Sequence, residues 1–178
     1  MIREKDITEK ALLAIAHDMV VAARTAPKGK GLDNLVACIL TKAEIPELRS
    51  RMLELHKKTD APVFMINGDD IAKAECIVVL GARDRSLGLT FCGFCGFENC
   101  QEREKSGKGR CAFPVGDLGI AIGSAVAVAA DRRVDTRIMY SIGYTMMHFG
   151  MLDKDVVMAH GIPLSASSKN PFFDRILK

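Results

Sequence analysis

The chain has no tryptophan, two tyrosines and only 6% aromatic residues in all. Aromatics interleaved with Lys or Arg for base stacking are therefore missing, and a net charge of +3 is too small to mark a polyanion-binding face. Nucleic acid is not an expected partner. No apolar run reaches the length of a bilayer span: the longest, 118–130, holds 13 residues and is rich in Ala and Gly, so no membrane insertion is expected. The opening residues, MIREKDITEK, carry charges and no apolar signal core, which points to a cytoplasmic address where thiols stay reduced. No Ser-His-Asp or paired-carboxylate pattern is recognisable. His17 and His56 fall on predicted helices among charged neighbours, His148 and His160 lack any paired acid or nucleophile, and all four are expected to be structural or surface residues, so the catalytic residues stay unknown.

What is present suffices for a packed core: 48% of the 178 residues are hydrophobic and 26% charged, in a length suited to one domain. Asp6 and Glu9 have capping-box spacing, and Leu12, Ile15, Ala16, Met19 and Ala23 follow at helical intervals, predicting a helix over 6–24 that Pro27 ends. LVACIL predicts a strand at 35–40. Pro46 opens a helix with Leu48, Met52 and Leu55 on one face. PVFMI (62–66) and CIVVLGA (76–82) read as strands, with a short helix at 69–74 between them. Asp117 reads as the cap of a helix in which Gly119, Gly123 and Ala127 recur every four residues. Plain helix packing is the expected use of that spacing, and a dimer or cofactor contact is the alternative. The segment 134–141 reads as a strand, 143–151 as a helix and 155–162 as a strand, while the Asn-Pro turn and paired Phe of the tail, 167–178, predict an anchored end. Helices and strands alternate without a regular βαβ rhythm, so the class is α+β.

About 33 residues, 84–116, show no regular period, and a loop that long in a compact domain is usually functional. It holds Cys92, Cys95, Cys100 and Cys111, separated by two, four and ten residues. Thiolates are soft ligands for zinc or iron–sulfur centres. Cys92 and Cys95 can grip neighbouring corners of one centre, with Gly93 and Gly96 letting backbone amides turn inward, and Cys100 and Cys111 can close the coordination sphere. Zinc sites usually present two compact pairs, and only one pair is here. Arg103, Lys105, Lys108 and Arg110 share the loop and can offset a negatively charged centre, although Glu98, Glu102 and Glu104 dilute them. An iron–sulfur cluster, a zinc ion, and free or disulfide-bonded thiols all remain open. Cys38 and Cys76 fall in apolar strands and read as small hydrophobes.

CGFCGFENC followed by a later cysteine resembles the four-cysteine [4Fe-4S] domain of electron-transport complex B subunits and corrinoid iron–sulfur proteins. That resemblance implies Cys92, Cys95, Cys100 and Cys111 as cluster ligands. Taken whole, with AARTAPKGKG near one end and GIPLSASSKNPFFDR near the other, the chain resembles a small prokaryotic family described as containing a ferredoxin domain. The order of helix, AARTAP loop, strand, helix, DLGIAIGSAVAVAA helix and late GIP strand is similar to flavin-dependent nitroreductases. The similarity to nitroreductases implies a mainly antiparallel sheet flanked by helices, one domain over 1–178 carrying the cysteine loop (84–116) as an insertion, and a homodimer. It also implies an FMN contact on the first loop, for which Arg24, Lys28, Lys30 and Asp33 are the candidates. The combined expectation is an iron–sulfur oxidoreductase that couples a flavin to one-electron exchange with a donor or acceptor protein. A flavin-free electron carrier and a zinc-stapled module are the alternatives.

Overall fold

In a computed structural model, which describes residues 1–174, the chain folds as a four-stranded antiparallel sheet between two helical layers. The elements in order are α1 (Glu4–Thr25), β1 (Leu35–Thr41), α2 (Ile45–Thr59), α3 (Pro62–Ile71), β2 (Cys76–Arg83), α4 (Cys100–Ser106), α5 (Ala112–Asp131), β3 (Asp135–Thr136), α6 (Tyr140–His148) and β4 (Val156–Ser165). The sheet order is β1-β2-β4-β3.

Strand side chains alternate between faces, and helices cover both faces of the central strand, so β2 is buried from Cys76 to Ala82 and reads there as one apolar run. Cys76, Val78, Leu80 and Ala82 face one core with Leu12, Ala16 and Met19 of α1 and Leu118, Ala121 and Ala125 of α5. Ile77 and Val79 face the other, with Leu48, Met52 and Leu55 of α2, Phe64 of α3 and Ile142 and Met146 of α6. The α+β expectation holds.

Four expectations need correction. The predicted strand at 62–66 and helix at 69–74 are a single helix, α3. Its buried residues Phe64, Asn67, Gly68 and Ile71 have helical spacing, and Pro62 stands in its first turn. The strand expected over 134–141 shrinks to the two residues of β3, because α6 already begins at Tyr140. The third correction concerns α5, which starts at Ala112 with Cys111 as its N-cap residue, so Asp117 lies inside the helix and caps nothing. At 20 residues α5 is long and apolar enough, by length and composition, to cross a membrane, where the sequence reading counted 13 apolar residues. Its Leu118, Ala121, Ala125 and Ala129 are packed in the core with α1. Lastly, Gly119, Gly123 and Ala127 do not serve packing within the chain. They are exposed, and a β-carbon built on either glycine meets nothing within 4 Å.

The tail is anchored as far as it is described. Phe172 is fully buried, its carbonyl accepts a hydrogen bond from Arg137 Nη1 (2.8 Å), and the Arg137 guanidinium lies 4.8 Å from the Phe173 ring centroid. The last residues of that expectation, 175–178, lie outside the described ones.

Candidate metal centre and the adjoining glycine loop

Beyond β2 the chain leaves the sheet and wraps into the cysteine segment, which is not wholly irregular. Asn99 caps α4, its Oδ1 accepting the Glu102 amide (2.9 Å), and this puts Cys100 at the first helical position. Gly93 and Gly96 both take positive φ (110° and 84°), and the Gly96 amide donates to the Gly93 carbonyl (2.8 Å), folding the Cys92–Cys95 turn as expected. Cys111 stands at the positive end of the α5 macrodipole, which favours negative charge there.

All four cysteines line one shallow hollow, with Leu87, Phe97 and Phe113 among its apolar walls. Cys92 is exposed at the rim, Cys95 and Cys100 are half-buried and Cys111 is buried; none is in a disulfide. The thiols share the hollow but do not converge on one point: among the described residues, no three His, Cys, Asp or Glu side chains stand at metal-holding geometry. Four soft donors around an apolar wall fit an iron–sulfur cluster in ligand number and chemistry.

One charged side chain lines this hollow, Arg103, and it is 7% exposed. Arg103 Nη1 donates to both oxygens of Asp84 (2.9 Å each) and Nη2 to Ser86 Oγ (2.8 Å). Burial disfavours the Arg103 charge, but the Asp84 carboxylate outweighs burial and keeps the guanidinium firmly protonated. Asp84 Oδ1 also accepts the Cys111 amide (3.3 Å), so a single carboxylate joins the end of β2, α4 and the start of α5. Asp84 escapes a reading of the sequence because its partners lie 19 and 27 residues away. Arg103 is legible in sequence as one of four basic residues of the loop, but its burial is not, because the run EREK reads as a solvated face. By contrast, Lys105, Lys108 and Arg110 are exposed.

Cys38 and Cys76 take no part. Burial pushes the Cys76 thiol up to about 11, with Glu75 adding to it, and burial with Glu44 raises Cys38 as well. Of the histidines, His160 is half-buried and its pKa is lowered by burial, while His148 stacks on Tyr144.

The loop after α1 adjoins the hollow. A β-carbon on Gly29 would press on Leu87 and Phe113, both walls of the cysteine hollow, and Lys30 Nζ donates to the Leu87 carbonyl (3.3 Å). The structure thus brings the two sequence-predicted sites side by side. Yet the loop's donors already have partners within the chain. Lys28 Nζ donates to the carbonyls of Arg24 and Ala26 (2.6 Å each) and Ala23 (3.1 Å), closing the C-terminus of α1. Arg24 pairs with Asp33 at 2.5 Å and donates to the Leu35 carbonyl (3.0 Å). Burial raises the Asp33 pKa, but the Leu35 amide and Arg24 outweigh burial and hold the carboxyl below its ordinary value. The Gly29 amide, central to any phosphate nest here, donates to both oxygens of Asp117 (3.1 Å each). A carboxylate of the chain already engages that amide.

Residues 108–175 match the sequence profile of a family described as uncharacterized proteins containing a ferredoxin domain. An uncharacterized protein of Archaeoglobus fulgidus is 41% identical over 186 residues, covering 100% of this chain and 99% of its own length. The chain belongs to this family. Of the four loop cysteines, Cys111 lies within the profile match and the other three precede it.

Among solved structures, the chain is similar to a nitroreductase with bound FMN from Desulfitobacterium hafniense, at a TM-score of 0.59 and 13% identity, covering 95% of this chain and 80% of that one. A nitroreductase with bound FMN from Bacteroides fragilis superposes at 0.58 with 12% identity, covering 93% and 80%. At such identities the likeness shows the fold, which is nitroreductase-like. Membership of the ferredoxin-domain family, together with this fold, suggests a redox protein and an iron–sulfur cluster.

Proposed function

We propose that the protein is a cytoplasmic iron–sulfur electron carrier holding one [4Fe-4S] cluster on Cys92, Cys95, Cys100 and Cys111. The observation that carries this reading is that all four loop thiols line one apolar hollow, beside a buried arginine paired with Asp84. A bound cluster supplies a one-electron couple. The chain holds the ligands, excludes water with Leu87, Phe97 and Phe113, and sets the Arg103–Asp84 pair beside them. Phe91 and Phe94, 96% and 80% exposed, flank Cys92 at the rim and offer an apolar contact for a protein partner. One electron enters from a donor protein and one leaves to an acceptor protein, with no bond made or broken.

Anaerobic purification should give a brown protein with about four iron per chain. A colourless protein with stoichiometric zinc would instead support the zinc-stapled reading and sink this one.

A second reading couples the cluster to FMN. It is supported by the flavin in the neighbouring structures and by the shared wall between the two loops. The partnered state of Lys28, Gly29 and Arg24 favours the flavin-free carrier. Accordingly, acid extraction should release no flavin and FMN titration should show no saturable binding. One FMN per chain, weakened by replacing Lys28 and Lys30 together with Ala, would move the assignment to the oxidoreductase.

The reading also includes a homodimer seated on the outer face of α5. Gly119, Ile120, Gly123 and Ala127 lie exposed there, and small residues at this spacing let a second backbone approach closely. Gly123→Arg should yield a monomer by light scattering while keeping the fold, because Arg is favoured over Gly in a helix by about 0.5–1 kcal/mol. A variant that stays dimeric would place the seam elsewhere.

A further inference from the structure

Arg103 uses two of its three nitrogens on protein partners, Nη1 on Asp84 and Nη2 on Ser86. Its Nε is buried and has no hydrogen-bond partner among the described residues. A cationic N–H left dry without an acceptor is costly, and this one belongs to the only charged side chain among those lining the cysteine hollow. Two of the four cysteines are placed beside the guanidinium by the chain. Cys100 lies three residues earlier on the same face of α4, and the Cys111 amide shares the Asp84 carboxylate.

We infer that the Arg103 Nε–H donates a hydrogen bond to sulfur at the metal centre, and that Asp84 and Ser86 hold the guanidinium in place for it. The inference rests on the iron–sulfur reading and adds to it the residue that sets the electron affinity of the site. A donor to the cluster sulfurs favours the more negative, reduced state, so its loss lowers the reduction potential. Lysine is no substitute, because one ammonium lacks the planar fork that serves carboxylate and sulfur together.

The test compares full-length wild type, R103K, R103Q and the double variant R103Q/D84N, reconstituted anaerobically, for iron and sulfide per chain and for reduction potential by EPR-monitored titration. The double variant removes one charge of each sign, leaving the net local charge unchanged and no buried carboxylate unpaired. At a poise equal to the wild-type midpoint, the reduced-to-oxidised ratio should fall about tenfold in both R103K and the double variant, ~59 mV for a one-electron couple. An unchanged ratio in those two, with a shift in R103Q alone, would mean that Arg103 acts by charge only and would overturn the donor role. Lower iron content with an unshifted potential in the loaded fraction would make Arg103 purely structural, which also overturns it. Absence of iron from the wild type would remove the iron–sulfur reading and this inference together. Iron in the wild type with unmoved variants would remove this inference alone.

Discussion

Replacing Cys111 with Ser should abolish cluster binding, taking iron from about four per chain to near zero, while leaving the apoprotein folded. Loss of the ligand follows from chemistry: a serine hydroxyl is a hard, weakly acidic donor and does not replace a soft thiolate on iron. Survival of the fold follows from position. Cys111 is the N-cap residue of α5 and makes no side-chain capping bond, whereas Ser is among the best residues there, worth about 0.5–2 kcal/mol over residues that cannot cap. Apoprotein Tm should therefore hold or rise while iron is lost, a combination that separates ligation from general damage. Cys38→Ala serves as the control and should keep its iron, since that thiol lies on β1 away from the hollow. The result that sinks the ligand set is C111S protein with a full complement of iron.

Much of this site is legible in sequence, and the limits are physical. The cysteines announce themselves because metal ligation demands particular atoms, and Gly93 and Gly96 because the turn between ligands demands positive φ. The short helix α4 also leaves a trace in Asn99 and Glu102, whose spacing is that of a cap and its third residue. Nothing local reveals that Arg103 is buried, since its fate is decided by Asp84 at the end of a strand 19 residues away. The glycine loop shows the opposite case. Its basic residues and glycines are plain to read, but the groups that engage them are the terminal carbonyls of α1 and a carboxylate 88 residues downstream. Among the elements, β2 is unmistakable because both of its faces are covered. The α3 segment misleads because a short apolar run such as PVFMI fits a buried strand or a helical turn equally well until the spacing of Phe64, Asn67 and Ile71 is weighed.

The second large effect is expected far from the thiols, where α6 lies on β4 closely enough that side chains are excluded. A β-carbon built on Gly143 falls on the Ala159 carbonyl, and one built on Gly161 falls on the Ile142 side chain, so the two glycines define the approach from both sides. The Gly143 overlap is with backbone and no rotamer change relieves it; the helix must lift or the strand must shift. Lifting α6 loosens Ile142 and Met146, both fully buried, each worth about 1.5–3 kcal/mol when buried. Against this, Ala gains at most about 1 kcal/mol over Gly as a helix former. Gly143→Ala should thus destabilise the protein by about 3 kcal/mol, lowering Tm by roughly 6–12 °C for a chain of this size. Gly68→Ala provides the counterpart, because a methyl there meets Met52 at 3.7 Å, an ordinary van der Waals distance, inside helix α3. The same substitution should raise Tm by a few degrees at Gly68, from a gain of about 0.5–1 kcal/mol, and depress it at Gly143. If both variants melt within a degree of wild type, the close approach of α6 to β4 is not what holds this half of the core together.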